Sequence, residues 1–160
     1  MAKTEFQIKG LEALKQRLLE KKQAVEKVLG LLLLQLGEEA VTFSKDNKGY
    51  QDRTANLKNS ISFAVFKDGK LLNSFIGNIP EPDKVKGGQA QVQKALEEYA
   101  SKPGVVAPQG YTIIVVAGMV YGKYVEDKGY NVLYLTKHFL HNGIKDALKE
   151  ALEALELKIE

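Results

Sequence analysis

The chain contains no cysteine. Disulfides, thiolate metal sites and thiol nucleophiles are therefore excluded, and the lack of disulfides fits an intracellular chain. Tryptophan is absent as well. A membrane-length apolar run is missing: Val28-Leu-Gly-Leu-Leu-Leu-Leu-Gln-Leu36 is about half of the roughly 20 residues a bilayer span requires. It reads as the buried middle of a helix. Met1-Ala-Lys-Thr-Glu-Phe-Gln-Ile8 has no apolar core, so no signal peptide is expected. Charge of one sign is not concentrated anywhere. The formal net charge is +3, and the basic residues are spread along the chain, which gives no reason to expect a nucleic-acid partner. No internal repeat or low-complexity tract is visible. What remains is an ordinary globular composition, 44% hydrophobic and 27% charged over 160 residues. One domain, 1–160, with a real core is expected.

Periodicity lays out the elements. Phe6-Gln7-Ile8-Lys9 alternates like a short strand, and Gly10 breaks it. Leu11, Leu14, Leu18, Val25, Val28, Leu32 and Leu36 then recur at three- and four-residue steps, extended by Ala40 and Phe43, which predicts one long helix over 11–43. Gly30 and Gly37 inside it point to a bend or to close packing, since each costs about 1 kcal/mol against alanine. Around 31–34 the apolar surface wraps the helix, so cover on all sides is expected, from the sheet or from a neighbouring subunit. Residues 44–53 form a polar loop. Thr54 is a candidate N-cap for a short helical turn. A strand at 61–66, the hairpin signal Asp68-Gly69 and a return strand over 70–77 follow. Pro80 and Pro82 cannot continue the sheet. A second helix spans 89–101, marked by Val92, Leu96 and Tyr99. Tyr111-Thr-Ile-Ile-Val-Val-Ala117 is the most apolar strand. Its exit carries Tyr121, Tyr124 and Val125 at helical spacing, then Glu126-Asp-Lys-Gly129. Residues 130–135 read as extended or irregular. Thr136 is a candidate cap for a last helix along Leu140, Ile144, Leu148, Leu152, Leu155 and Ile159. This order predicts an α+β domain, with long N- and C-terminal helices on a small antiparallel sheet and a middle helix.

Chemistry-bearing patterns are sparse. His138 and His141 sit three apart, but zinc helices use four-residue spacing with a glutamate beside the first histidine, so exposed helix histidines are the better reading. Glu126 and Asp127 are adjacent and do not face a common point; a solvated turn is expected. Gly87-Gly88 lacks the preceding strand and following lysine of a phosphate cradle. Ser60 and Ser62 have no histidine near them in sequence. No catalytic, metal or cofactor site is expected. The seven tyrosines, three of them at 121, 124 and 130, suit either a protein interface or the rim of a core.

Two segments carry a family likeness. Asp52-Arg-Thr-Ala-Asn-Leu-Lys-Asn-Ser-Ile61 resembles the D-R-T-G-x-L-R-x-S-I segment of the tail-completion and head–tail joining (minor tail, neck) proteins of tailed bacteriophages. Tyr121-Gly-Lys-Tyr-Val-Glu126 resembles their Y-A-x-Y-V-E-x-G segment. The helix opening Gly10-Leu-Glu-Ala-Leu14 and a C-terminal helix fit the same order. The chain departs from the pattern in three places. Ala55 stands where the family has glycine, Gly129 arrives late after Glu126, and 80–108 looks like an insertion carrying a helix. The resemblance implies a structural virion protein and not an enzyme. It would assemble with itself in a ring and meet tail-tube and head-connector proteins, without membrane, cofactor or sequence-specific nucleic acid. It would be found in the virion, and in the host cytoplasm during assembly. Arg53, Leu57, Tyr121, Tyr124, Val125 and Glu126, with Leu33 from the apolar helix middle, are the interface candidates. The rival reading is an α+β interaction module with no phage role.

Overall fold

A computed structural model describes residues 10–156. The strand expected at Phe6–Lys9 and the last apolar helix position, Ile159, lie outside them. Helix α1 is Leu11–Asp46, about 54 Å long at 1.5 Å per residue. A single turn, α2 (Asn56–Asn59), leads into β1 (Ile61–Lys67) and β2 (Lys70–Phe75). A 3₁₀ turn at Pro82–Lys84 precedes α3 (Gly88–Ala100), then β3 (Tyr111–Ala117), α4 (Gly122–Asp127) and α5 (Tyr134–Glu156). The chain is α+β, as its periodicity predicts. Strand order is β2-β1-β3, antiparallel throughout. No helix among the described residues is long and apolar enough to cross a membrane.

The central strand β1 is buried from Ile61 to Val65 without alternation, because both faces of the sheet are covered. Ile61, Phe63 and Val65 pack with Leu33, Leu36 and Val41 of α1. Ala64 turns to the opposite face, where Leu96 of α3 and Ile114 of β3 close a second cluster. The middle helix, expected as an insertion, thus packs on the second face of the sheet over β1 and β3. The hairpin turn has positive φ at both Asp68 (50°) and Gly69 (79°), as two-residue hairpins of the mirror-image type need. Asp68 is also tied to the start of β3: its amide donates to the Gly110 carbonyl, and its carboxylate accepts from the Gly110 N–H, both at 2.8 Å.

The two helix glycines are sites of close packing. A methyl group at Gly37 would clash with the ring edge of buried Phe63, and one at Gly30 would stand 3.1 Å from the Tyr111 hydroxyl. That hydroxyl donates to the Glu26 carbonyl at 2.6 Å, and Lys67 reaches the Glu26 carboxylate at 2.8 Å. Helix α5 runs antiparallel to α1. Phe139 stacks on Phe43 with centroids 4.6 Å apart, Gly143 admits Leu36, and Ala151 and Leu155 meet Val25 and Val28.

All-round cover of α1 is not what the structure has. Leu33 is 4% exposed, but Leu31 is 62% exposed, because its side of the helix faces neither the sheet nor α5. The first turns of α1 also stand clear of the body, and every residue from 11 to 20 is exposed.

Gly37→Ala is expected to destabilise the fold by about 1–3 kcal/mol, the usual cost of forcing atoms into a filled core, although alanine favours a helix by about 1 kcal/mol. Urea unfolding followed by circular dichroism measures it. A variant as stable as the parent would show that α1 is not seated on Phe63 as described.

Candidate functional site

The segment around residues 52–57 and the exit of β3 meet. Tyr50, Asp52, Arg53, Ala55, Tyr121 and Val125 line a depression of about 330 Å³ between them. The first wall is built by local chemistry. Thr54, expected as the N-cap, stands one residue before it: its hydroxyl accepts the Asn56 N–H at 3.3 Å, and the cap position belongs to Ala55. Helix α2 itself starts after Ala55, whose φ is 57° and ψ 7°. A left-handed alanine costs about 1–2 kcal/mol, so other contacts must hold it there. Asn56 does so from a buried position. Its amide group donates to the Glu81 carbonyl at 2.9 Å and accepts the Glu81 N–H at 3.0 Å. Leu57, 4% exposed, drives the other side of the turn into a cluster with Ile79, Val92, Met119 and Val132. Gly122 leaves room for it, since a methyl there would stand 3.1 Å from Leu57.

The second wall is α4. The Tyr121 hydroxyl lies beside the Thr54 side chain and the Leu57 backbone, and partial burial raises its pKa above the ordinary value. Tyr50 is pushed up further, chiefly by burial and then by the Asp52 carboxylate. Its hydroxyl is enclosed without a hydrogen-bond partner. Asp52 is paired with Lys48 at 2.9 Å.

Glu126 is the residue whose role the sequence hides. Its carboxylate accepts three consecutive backbone N–H groups, from Val132 and Leu133 at 2.8 Å and from Tyr134 at 3.0 Å. These lie at the start of α5, where backbone donors lack intrahelical partners and a negative charge is favoured. Asn131 adds its side-chain oxygen to the Leu135 N–H at 2.9 Å. The expected solvated turn is therefore a structural clamp, and Glu126 is bound inward. Thr136, expected as the cap, falls within the first turn of α5, buried with an unpartnered hydroxyl. The helix begins three residues earlier than a cap at Thr136 predicts, because Glu126 and Asn131 serve its first donors. No local pattern announces this: the carboxylate acts on amides six to eight residues away.

Of the other candidates, Leu33 and Leu57 are core residues and offer no surface to a neighbour in this fold. Tyr121 and Tyr124 are 45% and 64% exposed, Arg53 is exposed and Val125 is half-buried. Asp127 is exposed and pairs with Lys123 at 2.6 Å. His138 and His141 are exposed on α5, the former against the edge of Tyr134. Gly87 and Gly88 both have positive φ at the entry to α3. Ser60 and Ser62 spend their hydroxyls on backbone carbonyls of Leu57 and Ser60. Among the described residues, no group of three histidines or carboxylates is placed to hold a metal ion. The depression brings Asp52, already paired with Lys48, beside Arg53, Lys84 and two tyrosines whose pKa values are raised by burial. No family model, curated protein or solved structure matches this chain.

Glu126→Ala is expected to cost about 2–3 kcal/mol in urea unfolding, since it strips a charged acceptor from buried-side amides. Asp127→Ala, which removes a surface ion pair, should cost no more than about 0.5 kcal/mol. Equal effects would contradict the clamp.

Tyr50→Phe tests the enclosed hydroxyl. Below pH 10.0, the ordinary tyrosine value, native and unfolded chains both keep the proton and stability is undiminished. Above it the unfolded chain ionises first while the native residue stays protonated, so stability falls as pH rises. The variant should match the parent at neutral pH and lose less stability above pH 10.0. A parallel decline in both proteins would contradict the assignment.

Proposed function

We propose that this chain is a non-enzymatic structural protein of the head–tail junction of a tailed bacteriophage. In this reading it completes the tail, assembles with copies of itself, and presents a surface to the tail tube and head connector. It acts in the virion and is present in the host cytoplasm during assembly. The single observation that carries the reading is the meeting of the two family-like segments. They are far apart in sequence, yet Arg53, Ala55, Tyr121 and Val125 line one depression, and Leu57 packs over Gly122.

Two details support it. Ala55 adopts a left-handed conformation at the position where the phage pattern has glycine, the residue that takes positive φ without steric cost. Glu126, the glutamate of the second segment, has a structural use as the clamp on α5. That is a reason for a fold to keep it without any catalysis. The exposed Tyr121 and Tyr124 at the same place are of the type enriched at protein interfaces.

Purified virions of the phage that encodes the chain should contain it in a few copies per particle by quantitative mass spectrometry. Deletion of its gene should yield filled heads and separate tails under the electron microscope. Joined, infectious particles from the deletion strain would overturn the proposal and favour an interaction module with no phage role.

A further inference from the structure

A groove of about 990 Å³ runs between β3 and α5. Ile113, Val115 and Val116 line it from the sheet, and Leu140 and Ile144 line it from the helix. Its size is at the upper end for a small-molecule site, about 300–1,000 Å³. The head–tail role makes no use of it.

Polar groups gather where α5 begins. Glu126 and Asp127 line the groove there, but both charges are already answered. Glu126 is held by three backbone N–H groups, and Asp127 pairs with Lys123. Lys137 lines the same end, with His138 and His141 beside it. No carboxylate among the described residues pairs with Lys137, so its positive charge is uncompensated. Thr136 adds a hydrogen-bonding group. It is 1% exposed, it lines the groove, and its hydroxyl has no partner among the described residues. Leaving a buried hydroxyl unpaired is costly, and an acceptor from a ligand removes that cost.

No residue outside 10–156 is near enough along the chain to occupy this end. Gly143 of α5 seats Leu36. Leu36 stands about 39 Å along α1 from Gly10, whereas nine residues span at most about 32 Å. From Glu156 back to Leu140 the helix rises about 24 Å, whereas four residues span at most about 14 Å.

We propose that the groove binds a long-chain carboxylate. Its hydrocarbon tail lies along Ile113, Val115, Leu140 and Ile144. Its carboxylate accepts the Thr136 O–H and faces the Lys137 ammonium. From Thr136 to Ile144 the helix rises about 12 Å, a distance that a ten-carbon chain covers. Such a tail has no amide groups to satisfy, so the apolar stretch suits it better than a peptide backbone. Charge selects the head group. An ammonium would face Lys137 and leave the Thr136 proton without an acceptor. The inference stands independently of the phage reading.

Isothermal titration calorimetry of the full-length protein with hexanoate, octanoate and decanoate, each below its micelle concentration, tests it. Affinity should rise roughly tenfold for each two added methylenes, as burial of hydrocarbon yields. Decyltrimethylammonium should bind at least about tenfold more weakly than decanoate, because it reverses the charge beside Lys137. Thr136→Val removes the hydroxyl and should bind decanoate about tenfold more weakly, while its urea midpoint stays at or above the parent's. Lys137→Gln, at an exposed position, should also weaken binding and leave the urea midpoint unchanged. Equal affinity for decanoate and the ammonium overturns the proposal, as do decanoate affinities unchanged in both variants or no decanoate binding at all. Protein that sediments with phosphatidylglycerol vesicles yet binds no free decanoate would assign the surface to a membrane, and that also overturns it.

Discussion

The Glu126 carboxylate collects the N–H groups of Val132, Leu133 and Tyr134, and the position of α5 follows from that. Gly129 sits between them with φ of 83°, so the chain doubles back over a short distance and the acid at the end of α4 caps the next helix. With its start fixed, α5 lies antiparallel along α1, Phe139 on Phe43 and Gly143 over Leu36. Helix α1 in turn is pressed on the sheet through Gly37 and Phe63. One buried-side ion thus links the exit of β3 to the helix layer. Without it, α5 would be held to the body mainly by its apolar stripe, and the groove beside β3 would lose its definition.

The same chain of contacts uses many of the protein's polar groups. Several of its polar side chains are committed to backbone groups: Asn56 to Glu81, Ser62 to Gly77, Gln89 to Gly77 and Ile79. What the fold leaves over is apolar: Leu31 on the back of α1, Leu14 and Leu18 on its first turns, and the slot along β3. Surfaces of this kind suit association.

Much of the fold was legible in the sequence, for definite reasons. The leucine spacing from Leu11 onward, the Asp68-Gly69 turn and the apolar run at Tyr111 are local signals, and each became the element its period predicts. The helix ends were less readable, because they depend on distant partners. Thr136 looks like a cap but is buried within α5, since a carboxylate from another helix does the capping. Residues 31–34 look like a helix covered on every side, yet Leu31 is bare, because periodicity reports apolar content and not which side meets the sheet. For the candidate site, the two family-like segments were visible by residue type. The polar residue that joins their surroundings, Asn56, was not, because its partner Glu81 is twenty-five positions away.

Cryo-electron microscopy of the head–tail junction in virions of the encoding phage tests the central claim most directly. The proposed head–tail role predicts a ring of copies of this chain between connector and tail tube. A junction resolved at side-chain detail and built entirely from other proteins would contradict it.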